Sequence, residues 1–255
     1  MKLHTTTLGD GPDLVMLHGW GLNQQIWGDA AHILAQYARL TLVDLPGHGH
    51  SATLENYTLS EVIDAVMTVA PPAAAWLGWS LGGLVAMAAA EAHPKRIAKL
   101  VLVTANPCNA QRDDWPHAMH ANVLEQFAQN LAVDYAQTLQ RFLMLQCKGS
   151  EHARDTVRIL RARLQAGGRP QAAALRAGLS ILQDTDVRPR LADIACNTLL
   201  IYGQHDVLVP ASGAPHVAAM LPRARAEIIP GAAHAPFVSH LPQFIDLVNG
   251  FLHAS

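Results

Sequence analysis

Disulfide frameworks, membrane spans and metal-finger spacings are all missing from this chain of 255 residues. Its three cysteines, Cys108, Cys147 and Cys196, are odd in number and far apart, which fits a reducing compartment and excludes a disulfide scaffold. No apolar run approaches the roughly 20 residues that a bilayer-crossing helix needs. The longest, from Leu84 to Ala90, ends at Glu91 and His93. The opening residues, Met1-Lys2-Leu3-His4-Thr5, lack the apolar core of a signal peptide. A cytoplasmic chain with no membrane role is therefore expected. Charge is scarce too: 15% of residues are charged and the net charge is -2, so no global field draws nucleic acid or a membrane surface. There is no Gly-rich phosphate loop with its Lys, no His-x-x-x-His and no Cys pair, so no metal, nucleotide or other cofactor is expected. No internal repeat is present.

What the chain does have is apolar residues, at 50% of the total, gathered into short runs. Six of these read as buried strands: Leu14 to Leu17, Leu40 to Val43, Ala74 to Trp79, Leu100 to Val103, Thr198 to Tyr202 and Ala226 to Ile229. Helical patterns alternate with them at Ile26 to Gln36, Ser60 to Val69, Leu81 to Ala92, Ala211 to Met220 and Leu241 to Leu252. Continuous apolar strands alternating with helices imply an α/β fold with a parallel sheet covered on both faces. Between Cys108 and Asp186 the rhythm changes. Four amphipathic patterns (His120 to Leu131, Asp134 to Gln146, Glu151 to Gln165, Gln171 to Leu182) suggest a helical insertion between two strands.

Gly78-Trp79-Ser80-Leu81-Gly82 joins one apolar run to a small-residue helix, the sequence form of a nucleophile elbow. Such a turn lifts the Ser80 hydroxyl clear of the sheet and aims the Leu81 N–H at a developing oxyanion. A serine nucleophile needs a base and an acid that orients it, in the chain order Ser, Asp, His. Asp206 follows one strand and His234 follows the next, both at the carboxyl edge of the sheet. His205 precedes Asp206 and so stands in the wrong order for the base. His240 is expected to begin the last helix. Asp186 and Asp193 lie before their strand rather than after it. A second oxyanion donor is expected at Trp20, in the turn His18-Gly19-Trp20-Gly21. The rigid turn Asp44-Leu45-Pro46-Gly47-His48-Gly49-His50-Ser51 is given a structural role.

These residues together resemble the α/β-hydrolase superfamily. The resemblance implies a mostly parallel central sheet with helices on both faces and an inserted helical cap. The core would comprise residues 1–107 and 187–255, and the cap residues 108–186. Four segments are similar to the pimeloyl-[acyl-carrier protein] methyl ester carboxylesterases of biotin synthesis: Leu17 to Asn23, Trp76 to Val85, Arg141 to Gln146 and Ala232 to Phe237. That likeness implies a serine esterase that releases methanol and frees the pimeloyl carboxylate. It implies a substrate site of Trp20, Ser80, Leu81, Phe142, Leu143, Met144, Leu145, Gln146 and His234. It also implies an acyl-carrier protein docked on Arg141, Arg154 and Arg158, with Arg161 and Arg163 read as solvated. Gln137 stands where another arginine is expected. A monomer is expected. Other readings of the same triad are a broad-specificity short-chain carboxylesterase, a C–C bond hydrolase or thioesterase, and a receptor that binds a ligand without turning it over. A dehalogenase would need Asp in place of Ser80.

Overall fold

A computed structural model describes residues 2–254. Seven strands form one sheet: β1 (Thr5–Leu8), β2 (Asp13–Leu17), β3 (Arg39–Val43), β4 (Ala74–Trp79), β5 (Ile97–Val103), β6 (Asn197–Gly203) and β7 (Ala224–Ile229). Their order across the sheet is β1-β3-β2-β4-β5-β6-β7. Only the β1–β3 pair is antiparallel; all other neighbours run parallel. Successive side chains on a strand point to opposite faces. Trp76 and Leu77 on β4 are both 0% exposed, so both faces of the sheet are covered there. This double burial is why the strands read as unbroken apolar runs rather than alternating ones. β1 escapes that signature. It is an edge strand, Thr5-Thr6-Thr7-Leu8, and none of its residues is fully buried.

The helices are α1 (Gly28–Leu34), α2 (Leu59–Met67), α3 (Leu81–Ala92), α4 (Ala121–Val133), α5 (Tyr135–Gln146), α6 (Ala153–Ala166), α7 (Ala172–Asp184), α8 (Ala214–Met220), α9 (Pro236–Ser239) and α10 (Leu241–His253). Three short 3-10 turns also occur. Two of them shorten helices expected from sequence. The pattern from Ile26 resolves into a 3-10 turn, Gln24–Trp27, with the Asn23 side chain accepting from the Gln25 N–H, and then α1. The pattern from Ala211 likewise opens as a 3-10 turn before α8, whose first turn holds Pro215. α3 is buried along nearly its whole length, and its run of small residues allows close packing on β4 and β5.

Between β5 and β6 the chain leaves the sheet and forms α4 to α7. The ends of this excursion meet: Cys108 and Asp186 form an isolated antiparallel bridge, and Val187 N–H donates to Pro107 O at 3.0 Å. Arg188 holds the junction further, with ion pairs to Asp186 at 2.7 Å and Asp114 at 3.1 Å and its guanidinium over the Trp115 ring.

Candidate active site

Ser80 sits between β4 and α3 at φ 55°, ψ -117°, in the left-handed half of backbone space that non-glycine residues avoid. Its surroundings enforce this turn. A Cβ on Gly78 would meet the backbone of Gly82 and Gly83, and one on Gly82 would meet the carbonyls of Leu17 and His18. Only glycine at both places lets β4, α3 and the end of β2 approach so closely. Strain held in place by dense packing is characteristic of functional positions.

Asp206 and His234 reach the same edge from β6 and β7. His234 Nδ1 and Asp206 Oδ2 are 2.7 Å apart, and both side chains are almost fully buried. The other carboxylate oxygen, Oδ1, accepts the N–H groups of Leu208 at 2.8 Å and Val209 at 3.0 Å. Asp206 is therefore fixed as an acceptor, and His234 is fixed with its Nδ1 as the donor. His234 Nε2 is buried and has no hydrogen-bond partner. The backbone of His234 is pinned as well. Its carbonyl accepts from Trp79 Nε1 at 2.7 Å and Thr104 Oγ1 at 2.8 Å, and its N–H donates to Gln146 O at 3.0 Å. Sequence reading did not single out Trp79 or Thr104 for this task. The signal for Thr104 is its positive φ of 41°, visible only in three dimensions.

The turn after β2 lies directly against Ser80: a Cβ on Gly19 would stand 3.3 Å from the Ser80 Cβ. Trp20, next in the chain, sends its indole Nε1 to Leu175 O on α7 at 2.8 Å. Two buried histidines brace this turn. His18 Nε2 accepts from Leu45 N–H at 3.0 Å while its Nδ1 donates to Gly19 O at 2.8 Å. His48 Nδ1 donates to Pro46 O at 2.9 Å, and its Nε2 faces Gly21 N–H at 3.4 Å. Burial pushes His48 down to about 3 and also lowers His18, so both rings stay neutral. Asp44 completes the brace by accepting from the N–H groups of Gln24 and His50. Burial raises its carboxyl, but the hydrogen bonds it accepts from Gln24, His50 and His4 outweigh that effect and leave it lowered. The Asp44 to Ser51 turn is thus a support for the Trp20 turn. Leu81, the first residue of α3, has no helical carbonyl behind it to accept its N–H.

Ser80, His234 and Trp20 line one small, mostly apolar cavity of about 20 Å³. Leu208 and Val209 join them from the core. The inserted segment contributes Asn109, Met119, Leu124, Phe127, Phe142, Leu179 and Leu182. The Phe142 ring stands edge-on to Trp20 at 4.8 Å and to Phe127 at 5.6 Å. Sequence reading missed most of this wall, because α4 and α7 contribute through packing and carry no motif.

Three of the expected substrate residues lie elsewhere. Met144 is 49% exposed, and with Leu145 it lines a surface groove between α5 and α6. Leu143 is buried but borders a separate cleft beside Leu139 and Leu164. The reason is geometric: five successive residues of an α-helix turn through more than a full circle, so one face of α5 cannot present them all. Gln146 meets His234 through its backbone carbonyl.

A model of the alpha/beta hydrolase fold matches residues 12–241. The chain is 47% identical over 239 residues to a pimeloyl-[acyl-carrier protein] methyl ester esterase of Edwardsiella ictaluri, a span covering 93% of this chain and 92% of that relative. It is 43% identical over 254 residues to one of Aeromonas hydrophila, covering 99% of this chain and 100% of the relative. The chain belongs to the pimeloyl-[acyl-carrier protein] methyl ester esterase family. It is a carboxylic ester hydrolase with the α/β-hydrolase fold. An esterase from Exiguobacterium antarcticum has the same fold at a TM-score of 0.90 and 22% identity, covering 99% of this chain and 96% of that one. An enol-lactonase from Burkholderia xenovorans LB400 follows at 0.87 and 20%, covering 99% and 96%.

On this esterase the α5–α6 groove gathers Arg141, Arg154, Arg161 and Lys148 around an apolar floor that includes Leu145 and Val157. Arg158 stays outside it, an exposed partner of Asp155 at 3.4 Å. Arg161 lines this groove, whereas Arg158, which the resemblance implies in carrier docking, does not. Arg163, expected to be solvated, instead ties α6 to the core. It donates to Ile26 O at 2.8 Å and to Asp29 Oδ2 at 2.9 Å. Gln137 is exposed at the start of α5 and its N–H is capped by Asp134.

Proposed function

We propose that this esterase hydrolyses the methyl ester of pimeloyl-[acyl-carrier protein], freeing the pimeloyl carboxylate and methanol in biotin biosynthesis. The observation that carries the reading is the state of His234. Its Nδ1 is committed to Asp206, while its buried Nε2 has no partner and lies on the cavity wall that Ser80 shares.

In this mechanism His234 Nε2 takes the Ser80 proton as the serine oxygen attacks the ester carbonyl. Asp206 orients the imidazole and stabilises its positive charge. The N–H groups of Trp20 and Leu81 hold the oxyanion. His234 then protonates the departing methoxide. Water, activated by the same ring, releases the acid from Ser80 and regenerates the enzyme. The cavity lining supports a neutral ester substrate: it contains no lysine or arginine among the described residues. The carboxylate product is therefore poorly held, since an unpaired charge in an apolar site is costly. Residues 108–186 act as a cap whose Phe142, Phe127 and Leu182 cover the methylene chain. The cationic groove above α5 and α6 receives the acidic carrier protein. The enzyme works as a cytoplasmic monomer.

The test has two parts. Ser80→Ala is expected to abolish labelling by a fluorophosphonate probe and to lower turnover of the pimeloyl methyl ester by several orders of magnitude. The wild-type gene, but not Ser80→Ala, should restore growth without biotin to a strain lacking its own esterase. Probe labelling without growth rescue would refute the substrate and leave the serine hydrolase reading intact. Near-native activity in Ser80→Ala would refute the mechanism.

A further inference from the structure

Glu151, His152 and His240 bring one carboxylate oxygen and two imidazole nitrogens within 4.8 Å of one another. Glu151 and His152 lie in the turn between α5 and α6, and His240 in the turn between α9 and α10. None of the three belongs to the machinery of ester hydrolysis. Their donor atoms converge over one point of the core: a Cβ on Gly231 would stand 3.0 Å from Glu151 Oε1 and 3.2 Å from His240 Nε2. The His240 ring is oriented by the contact of its Nδ1 with Ser239 Oγ at 2.9 Å, which leaves Nε2 to face Glu151. The His152 ring centre lies 5.4 Å from that of His240. Glu151 has no ion-pair partner among the described residues.

We infer that Glu151, His152 and His240 form a binding site for a divalent transition-metal cation of the zinc type, which clasps the inserted helices to the core. Two imidazoles and one carboxylate are a donor set that zinc accepts, with water filling the remaining position. Metal–ligand bonds of about 2.0–2.2 Å place tetrahedral donors about 3.3 Å apart. Glu151 and His152 are exposed, so rotation of their side chains closes the remaining gap. Local sequence spacing hides the set, because His240 is remote in sequence from the other two. An occupied site ties the α5–α6 turn to the α9–α10 turn, just beyond the loop that carries His234. Gln146 already meets that loop through its carbonyl. The cation therefore stiffens the junction between the inserted helices and the core.

Isothermal titration of zinc chloride into the chelator-stripped full chain tests this, alongside thermal unfolding and the visible spectrum of added cobalt(II). One saturable equivalent is expected, with a rise in Tm and cobalt bands characteristic of nitrogen and oxygen ligands. His152→Ala, at an exposed position, should weaken zinc binding at least tenfold, remove the Tm rise and leave metal-free esterase activity unchanged. Glu151→Gln should weaken binding as well, whereas His32→Ala, at an exposed position on α1, should not. No saturable binding to the wild type, or undiminished binding to His152→Ala, overturns the proposal. These readouts do not depend on the identity of the ester, so they fail independently of the substrate assignment.

Discussion

The indole of Trp79 and the backbone of His234 are joined: Nε1 donates to the His234 carbonyl at 2.7 Å. Thr104 Oγ1 donates to the same oxygen at 2.8 Å. Donors from the ends of β4 and β5 thus hold the residue that approaches Ser80 from β7. Thr104→Val removes one of them while keeping the shape of the side chain. It is expected to lower kcat about fivefold, in line with roughly 1 kcal/mol for one hydrogen bond, with KM little changed. Thr104→Ser should restore kcat. Steady-state kinetics on an aryl ester measures both, and equal kcat for Val and Thr would show that this bond does not position His234.

Asp206→Asn keeps an oxygen for the Leu208 and Val209 N–H groups but loses the charge beside His234. Turnover is expected to fall about 10³- to 10⁴-fold, because the amide favours the wrong ring tautomer and cannot stabilise an imidazolium. Thermal unfolding should be nearly unchanged. A loss below tenfold would remove Asp206 from the mechanism.

Ser80 holds a φ of 55°, which an Ala side chain tolerates no better. Ser80→Gly should therefore be more stable than Ser80→Ala by about 1 kcal/mol, although both are inactive. Denaturant midpoints of the two variants give the difference directly. Equal midpoints would mean that the turn carries no strain.

Native His48 remains neutral down to about pH 3, because burial opposes its charging. In the unfolded chain the same ring takes up a proton near pH 6.5. The unfolded state then binds more protons, so this stabilisation is complete above about pH 6.5 and is lost as the pH falls toward 3. His18 acts in the same direction. Tm should fall more steeply between pH 6.5 and 4.5 for the wild type than for His48→Asn. Parallel curves would contradict the assignment.

Gln137 and Arg141 are one turn apart on α5 and so share a face. Gln137→Arg should lower KM for the carrier-borne ester and steepen its salt dependence. Arg141→Glu should raise that KM, and neither should alter kinetics on a small free ester. A parallel change on the small ester would place the effect in the cavity rather than on the docking face.

Buried parallel strands were the most legible part of the chain. β4 shows this best: its ends coincide with the apolar run Ala74 to Trp79. α3 was as plain, because Gly82 and Pro94 bracket its small-residue run. β1 was hidden because three threonines at a half-exposed edge carry no hydrophobic signature. Ser80, Asp206 and His234 could be picked out because each follows a strand, so chain order stands in for spatial position. The outward turn of Met144 and Leu145 is a matter of helical phase, which a short motif does not carry. The tasks of His18 and His48 were illegible for a different reason: each is defined by bonds to backbone atoms elsewhere in the fold, and backbone is the same for every sequence.

Cys108 and Asp186 are bridge partners, so to the sheet everything between them is one turn. The register of β5 and β6 is set by pairs from Lys99–Asn197 to Val103–Ile201, all outside residues 109–185. The Gln146 carbonyl still binds the insertion to the core, since it takes the N–H of His234. Any replacement must return an acceptor to the same point in space. The insertion therefore answers to the core at fixed backbone oxygens, those of Gln146 and Leu175 among them.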